Sequence, residues 1–334
     1  MEQEIIEKRA RVISQEKYLY RITDGENEIA AEVSGRYRYE AIYPSDYPAV
    51  GDYVLASWPQ GEGKAVINSL FPRKTCFIRK AAGSKKEEQV IASNIDIVFI
   101  CMSLNANYNL QRLERYITLT YSSGATPVVV LTKADLCPNI EEKIAEVTGV
   151  AIGVDILVVS TINDDYNSVF KYLKDGVTIA FLGSSGVGKS TLINRIIGRE
   201  YNATGSVGEG DKGRHTTTRR ELIELDNGAY VIDTPGMREL GLWNDEEGIE
   251  SSFSDIEDLA SKCRFSDCSH TTEPGCAVLE AISEGTLPKE RYNSYQKLKK
   301  ENLYSIETDN YLENKKAKYK NIAKINKARK IMED

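Results

Sequence analysis

A chain of 334 residues, 41% hydrophobic and 28% charged, has the composition of an ordinary soluble protein and enough length for two or three cores. A formal net charge of −7 excludes a nucleic-acid surface spread over the whole molecule and confines any RNA contact to local basic patches. No apolar run approaches bilayer length, the opening MEQEIIEKRA carries no apolar export segment, and six cysteines in that context point to free thiols or metal rather than disulfides. The expectation is a cytoplasmic protein with neither a membrane nor DNA among its partners.

Residues 1–72 alternate short apolar runs with turn signals. Strands are expected over 11–14, 18–22, 29–33, 37–42, 53–58 and 65–70, separated by Asp24-Gly25, Ser34-Gly35, the 44–48 stretch with its two prolines, and 61–63. This spacing fits a small antiparallel barrel of the OB-fold type. Residues 1–70 hold 8 Lys+Arg against 12 Asp+Glu, so the pattern leaves two uses open, an RNA-binding barrel or a docking module. Arg73, Lys74, Arg79, Lys80, Lys85 and Lys86 then mark 73–90 as a basic linker, either solvated or in contact with phosphate.

Over 91–245 strands and helices alternate. Strands are expected at 95–102, 126–131, 156–160 and 179–182, with helices at 110–122, 140–147 and 167–173, the order of βαβ units and a mostly parallel sheet. Segments 219–225 and 229–233 flank Asp226-Asn227-Gly228 and read as a hairpin. After the strand at 179–182, Gly183, Ser184, Ser185, Gly186, Val187, Gly188, Lys189 and Ser190 fill G-x-x-x-x-G-K-[ST], and an apolar-periodic helix follows from Thr191. That strand, loop and helix order is the context a phosphate-binding P-loop requires. Glycines let backbone N–H groups turn inward around an anion, the Lys189 ammonium reaches the β- and γ-phosphates, and the Ser190 hydroxyl ligates Mg²⁺.

Three further segments carry chemistry. Thr132-Lys133-Ala134-Asp135 ends a strand where open α/β sheets place ligands. One carboxylate accepts both the N1–H and the 2-amino group of guanine, whereas adenine leaves it unpaired, so Asp135 is the candidate base reader. Asp233-Thr234-Pro235-Gly236 ends another apolar strand, with Asp233 placed to hold Mg²⁺ and the Gly236 N–H to bond a γ-phosphate. Gly213-Arg214-His215-Thr216-Thr217-Thr218 follows a polar, glycine-rich loop whose hydroxyls suit a segment ordered by the γ-phosphate. Thr217 is favoured as a second Mg²⁺ ligand without excluding its neighbours. His215 is either the group that positions the attacking water or a structural loop residue.

Beyond a helix expected over 249–260, Cys263, Cys268, His270 and Cys276 give the spacing C-x₄-C-x-H-x₅-C. Three thiolates and an imidazole satisfy tetrahedral Zn²⁺ completely, which makes the site structural. The chain ends in a charged helical region. Residues 312–334 hold eight Lys+Arg against three acids, either a solvated face or a clamp on RNA phosphates.

Together PAVGDYV, LTKAD, GSSGVGKSTLIN, GRHTTT, IDTPGMRELGLW and CRFSDCSHTTEPGC resemble one family, the circularly permuted ribosome-associated GTPases of small-subunit biogenesis (RsgA-type). The specific feature is order, because the guanine reader at 132–135 precedes the P-loop at 183–191. The resemblance implies an OB-fold barrel (1–72), a circularly permuted P-loop GTPase domain (91–245) and a helical zinc-binding domain (246–334). It also implies a GTP hydrolase, with GTP/GDP, Mg²⁺ and one Zn²⁺, acting on the small ribosomal subunit and its rRNA and stimulated by that subunit; a monomer is the separate expectation. Ser160, at a strand end, matches the family's additional guanine-side loop. One departure is Thr132, where N-K-x-D has Asn, which is expected to weaken support of the guanine site. Two other classes stay open on the residues alone: a GTP-gated RNA-binding switch with little hydrolysis, and a P-loop ATPase or kinase.

Overall fold

The computed structural model describes residues 5–16, 18–80, 88–200, 221–233 and 246–303. The chain forms two compact units, 1–241 and 242–334.

The first unit opens with β1 (Ile5–Glu16), β2 (Leu19–Thr23) and β3 (Glu28–Val33), followed by β4 (Tyr53–Pro59) and β5 (Ala65–Leu70). The order β1-β2-β3-β5-β4 closes on itself through an antiparallel β4–β1 pairing, giving a five-stranded OB-like barrel. Alternation drives the closure: β4 buries every second residue, and Val54, Ala56, Ile67, Ile22, Tyr20 and Val12 meet in one core. The expected strand at 37–42 is instead α1 (Gly35–Glu40). The alternation of Tyr37, Arg38 and Tyr39 mimics a strand, but the Ser34 hydroxyl accepts from the Tyr37 N–H at 3.1 Å and caps a helical turn. That turn buries Tyr37 and leaves Tyr39 exposed.

Segment 73–90, expected to be a basic linker, contains a ribbon in which β6 (Cys76–Lys80) pairs antiparallel with β7 (Glu88–Ser93). Arg73 faces inward. Its guanidinium grips the fully buried Asp52 carboxylate (2.7–3.1 Å) and donates to the carbonyls of Ser45 (2.7 Å) and Tyr47 (2.9 Å). A charge-assisted fork of this kind anchors the barrel's exit, so Arg73 is withdrawn from any phosphate contact.

The parallel part of the unit consists of β8 (Ile97–Ser103), α2 (Leu110–Ser122), β9 (Thr126–Thr132), α3 (Ile140–Thr148), β10 (Asp155–Val158), β11 (Thr178–Leu182) and α4 (Lys189–Ile197). An antiparallel hairpin of β12 (Glu221–Glu224) and β13 (Tyr230–Asp233) completes it. The strand order is β10-β9-β8-β11-β13-β12, parallel up to β13. Phe99 and Phe181 meet edge-on at 5.4 Å at its centre. The 167–173 helix is a 3-10 segment, Asn167–Tyr172. At its far edge β12 pairs with β1 at Ser14–Glu221, so barrel and parallel sheet form one continuous sheet. Arg11 sits beneath that seam, 5% exposed, with Nη2 donating to Thr178 Oγ1 at 2.7 Å and the guanidinium over Tyr230 and Tyr53.

The second unit contains α5 (Glu246–Ser252), α6 (Ser254–Ala260), α7 (Ala277–Ser283) and a helix α8 described over 289–303. The single helix expected over 249–260 breaks at Phe253, whose backbone leaves helical geometry and whose ring is fully buried against Tyr295. Arg291, 2% exposed, clamps the break by donating to the Asp255 carboxylate and the Ser252 carbonyl.

Candidate functional site

Strand β11 is fully buried along its length and ends at Gly183, where the chain turns with φ of 146°. Glycine is required there, because a Cβ would stand 2.4 Å from the Cys101 carbonyl oxygen. Gly186 (φ 73°) and Gly188 (φ 98°) continue the left-handed turns that rotate successive N–H groups toward one side. Gly188 is the N-cap of α4 and brings no side chain to the helix's first turn. The Lys189 ammonium spans the loop, donating to the carbonyls of Gly183 (2.7 Å) and Ser184 (2.6 Å). Ser190 and Thr191 follow in the first turn of α4, half-exposed. Behind the loop, burial pushes the Cys101 thiol up to about 12 despite the opposing Lys189 charge, so it stays a neutral wall.

Thr132 ends β9, beside β8 and one strand removed from β11. Its hydroxyl donates to the Val187 carbonyl, tying the base-reading turn directly to the P-loop. Lys133 adopts the left-handed conformation (φ 58°) and starts a 3-10 turn, Ala134–Leu136, that presents Asp135 at the surface. Ser160, reached after β10, donates to Asp135 Oδ1 at 2.7 Å. One carboxylate oxygen is thus held in place.

Asp233 closes β13, parallel to β11, and brings a carboxylate to the edge where β11 enters the P-loop. His215, Thr217 and Gly236 lie outside the described residues, as does the basic segment 312–334. Sequence reasoning missed two neighbours of the P-loop, Asn107 and Arg112, in and after the loop that follows β8. Their signal was position: like Thr132, they follow the C-terminal end of a buried parallel strand.

In the second unit the donor atoms of Cys263, Cys268, His270 and Cys276 all lie within 4.8 Å of one another, the one such Cys/His group among the described residues. An ideal zinc tetrahedron has S–S edges of about 3.8 Å and S–N edges of about 3.5 Å. Cys263 and Cys276 sulfurs are 3.8 Å apart, and His270 Nδ1 lies 3.5 and 3.3 Å from them. Burial would raise the Cys263 thiol, yet it lies below its ordinary value because the Val278 and Ala277 amides and neighbouring thiols bond to it. Tyr292 of α8 donates to the His270 carbonyl at 3.0 Å and holds that residue in its left-handed backbone (φ 55°). The donor set and spacing fit zinc.

A P-loop at the end of a parallel sheet, joined to a carboxylate turn that precedes it in the chain, defines a permuted P-loop nucleotide-binding protein. The family model described as RsgA GTPase matches residues 70–243, and one described as 50S ribosome-binding GTPase matches residues 178–323. The chain is 47% identical over 296 residues, 88% of this chain and 83% of the relative, to Small ribosomal subunit biogenesis GTPase RsgA 2 of Lactiplantibacillus plantarum. It superposes on the crystal structure of YjeQ from Thermotoga maritima with a TM-score of 0.66 at 27% identity, covering 88% of this chain and 97% of that one. YloQ, described as a circularly permuted GTPase, gives 0.64 at 26% identity, covering 88% and 96%. The chain belongs to the RsgA GTPase family.

Proposed function

We propose that this protein is a GTP hydrolase that acts late in the maturation of the small ribosomal subunit and is stimulated by that subunit. The observation that carries this reading is the joining of a guanine-type carboxylate to a P-loop through Thr132 and Val187. Lys189 and the amides of Gly183, Ser184, Ser185, Gly186, Val187, Gly188 and Ser190 stabilise charge on the β- and γ-phosphates. Thr132, Lys133, Ala134, Asp135 and Ser160 form the base side, and Thr191 completes the phosphate side. Ser190, Thr217 and Asp233 would hold Mg²⁺, which when bound neutralises the β- and γ-oxygens, and the Gly236 N–H bonds the γ-phosphate. Met237 follows Gly236 and offers no group to orient water, so turnover without the subunit is slow and His215 takes the positioning role.

Cys263, Cys268, His270 and Cys276 would hold a structural Zn²⁺, since four protein donors leave no open position. The chain works as a cytoplasmic monomer and meets rRNA through local basic segments, with functional domains at 1–72, 91–245 and 246–334. GTP turnover with and without purified small subunits tests the reading, with strong stimulation expected. Binding of GTP with no turnover in either condition replaces it with a GTP-gated switch. Equal binding of ATP, indifferent to Asp135→Asn, replaces it with a P-loop ATPase or kinase. His215→Ala is expected to abolish the stimulation; parental rates in both conditions end that residue's role.

A further inference from the structure

The P-loop receives side-chain support from three directions, and each tie ends on a backbone carbonyl. Lys189 holds the Gly183 and Ser184 oxygens, Thr132 holds that of Val187, and Asn107 Nδ2 donates to the Ser185 oxygen at 3.1 Å. Asn107 does not reach this carbonyl by chance. Arg112, on the first turn of α2, donates through Nη2 to both the Asn107 backbone oxygen and Oδ1, the latter at 2.9 Å. A guanidinium only donates, so it fixes the amide's orientation: Oδ1 faces Arg112 and Nδ2 must face Ser185. The Asn107 N–H is itself held by Asn105 Oδ1 at 3.0 Å, which in turn accepts from Ser103 at the end of β8. The donor is thereby mounted on the buried sheet through a chain of short contacts.

The consequence follows from peptide geometry. The Ser185–Gly186 bond is trans and planar, so its carbonyl and its N–H point in opposite directions. Holding the Ser185 oxygen toward Asn107 turns the Gly186 N–H away from it, in the manner Thr132 imposes on Gly188 through the Val187 carbonyl. Ser185 and Gly186 are both exposed, and Gly186 has the wide freedom of a left-handed glycine. Without a tie this peptide has nothing to keep its amide aimed.

We infer that Asn107, clamped by Arg112, is a positioning residue for the phosphate site that pre-aims the Gly186 N–H at the polyphosphate. The inference rests on the proposed binding of guanine nucleotide by this loop. Arg112 acts through Asn107 and not on the nucleotide.

The test measures GDP binding in the presence of Mg²⁺ by the full chain and by Asn107→Ala, Arg112→Gln and their combination. The ³¹P resonance of the bound β-phosphate and the preference for GDP over IDP are recorded alongside. Asn107→Ala is expected to weaken GDP about tenfold, the upper range for the net loss of one hydrogen bond, to shift the β-phosphate resonance, and to leave the GDP-over-IDP preference unchanged. The double variant is expected to bind no more weakly than Asn107→Ala, because the two residues form one linear support. Parental affinity and resonance in Asn107→Ala overturn the inference, as do additive losses in the double variant. A parallel fall in the GDP-over-IDP preference also overturns it, by showing general damage. Lys189→Ala serves as comparator: if it weakens GDP strongly while Asn107→Ala does not, only the inference fails. If the parental protein binds no GDP, the nucleotide reading fails with it.

Discussion

The nucleotide cradle and the Cys3His cluster are both built from turns, yet they hold their shape by opposite means. The P-loop hangs from the end of the fully buried β11, and side chains from other segments brace the cradle: Thr132 holds the Val187 carbonyl, Asn107 the Ser185 carbonyl, and Ser160 the Asp135 carboxylate. Of residues 261–275, by contrast, none is buried, and apolar burial resumes at Cys276, which is 4% exposed. The few fixed points there are Tyr292 on the His270 carbonyl, the Arg264 N–H on the Gly275 carbonyl, and a Glu273 carboxylate gathering the amides of Ser269, Thr271 and Thr272. A cradle rigidified by a hydrophobic core is preorganised for its ligand. A Cys/His loop with no core of its own would take its stability from a metal bound there.

That contrast sets the order of the expected effects. The largest is metal removal: structural zinc contributes about 10–16 kcal/mol of folding free energy in small sites. Chelation or Cys268→Ser is expected to abolish the helical signal of 246–303 while GDP binding persists. Loss of GDP binding on chelation, checked by calorimetry against circular dichroism, would show that the cradle is not self-supporting. Next is Asp135→Asn, which replaces an acceptor for two guanine donors and is expected to weaken GTP about 10⁴-fold, measured by titration with GTP and ATP side by side. Thr132→Val keeps shape but leaves the Val187 carbonyl without its donor. It is expected to cost about 1–3 kcal/mol, seen as GDP binding about 5- to 150-fold weaker and a lower melting temperature. The smallest is Tyr292→Phe, which removes the hydrogen bond to the His270 carbonyl. A two- to tenfold rise in the zinc dissociation constant, about 0.5–1.5 kcal/mol, is expected in competition with a chromophoric chelator. A larger effect than that of Thr132→Val would mean that α8, and not the metal, holds the cluster together.

Much of both sites was legible in the residue order because their chemistry is local. A phosphate loop is a short run of amides, and Gly183 through Ser190 must be contiguous to wrap one anion. Three thiols and an imidazole within fourteen residues close on one ion for the same reason. What stayed illegible rests on partners distant in the chain. Arg73 reads as part of a basic linker until Asp52, 21 residues away, draws it inside. The 37–42 segment has the alternation of a strand, and the Ser34 cap with the burial of Tyr37 overrides it. Asn107 has no motif at all, and its role exists only because the sheet places it beside Ser185, 78 residues on.

Residue order alone thus marked out the P-loop motif, the T-K-A-D turn and the four-donor Cys/His cluster, along with the inverted succession of the first two. Folding in three dimensions settled how those parts are braced. It put Thr132 under Val187, joined the barrel to the parallel sheet through Ser14 and Glu221, and turned Arg11 and Arg73 inward. The division has a physical cause: ligand-binding loops are specified by the conformational freedom and donors of adjacent residues. Their rigidity comes from side-chain ties across a core, whose members only the packing of strands brings together.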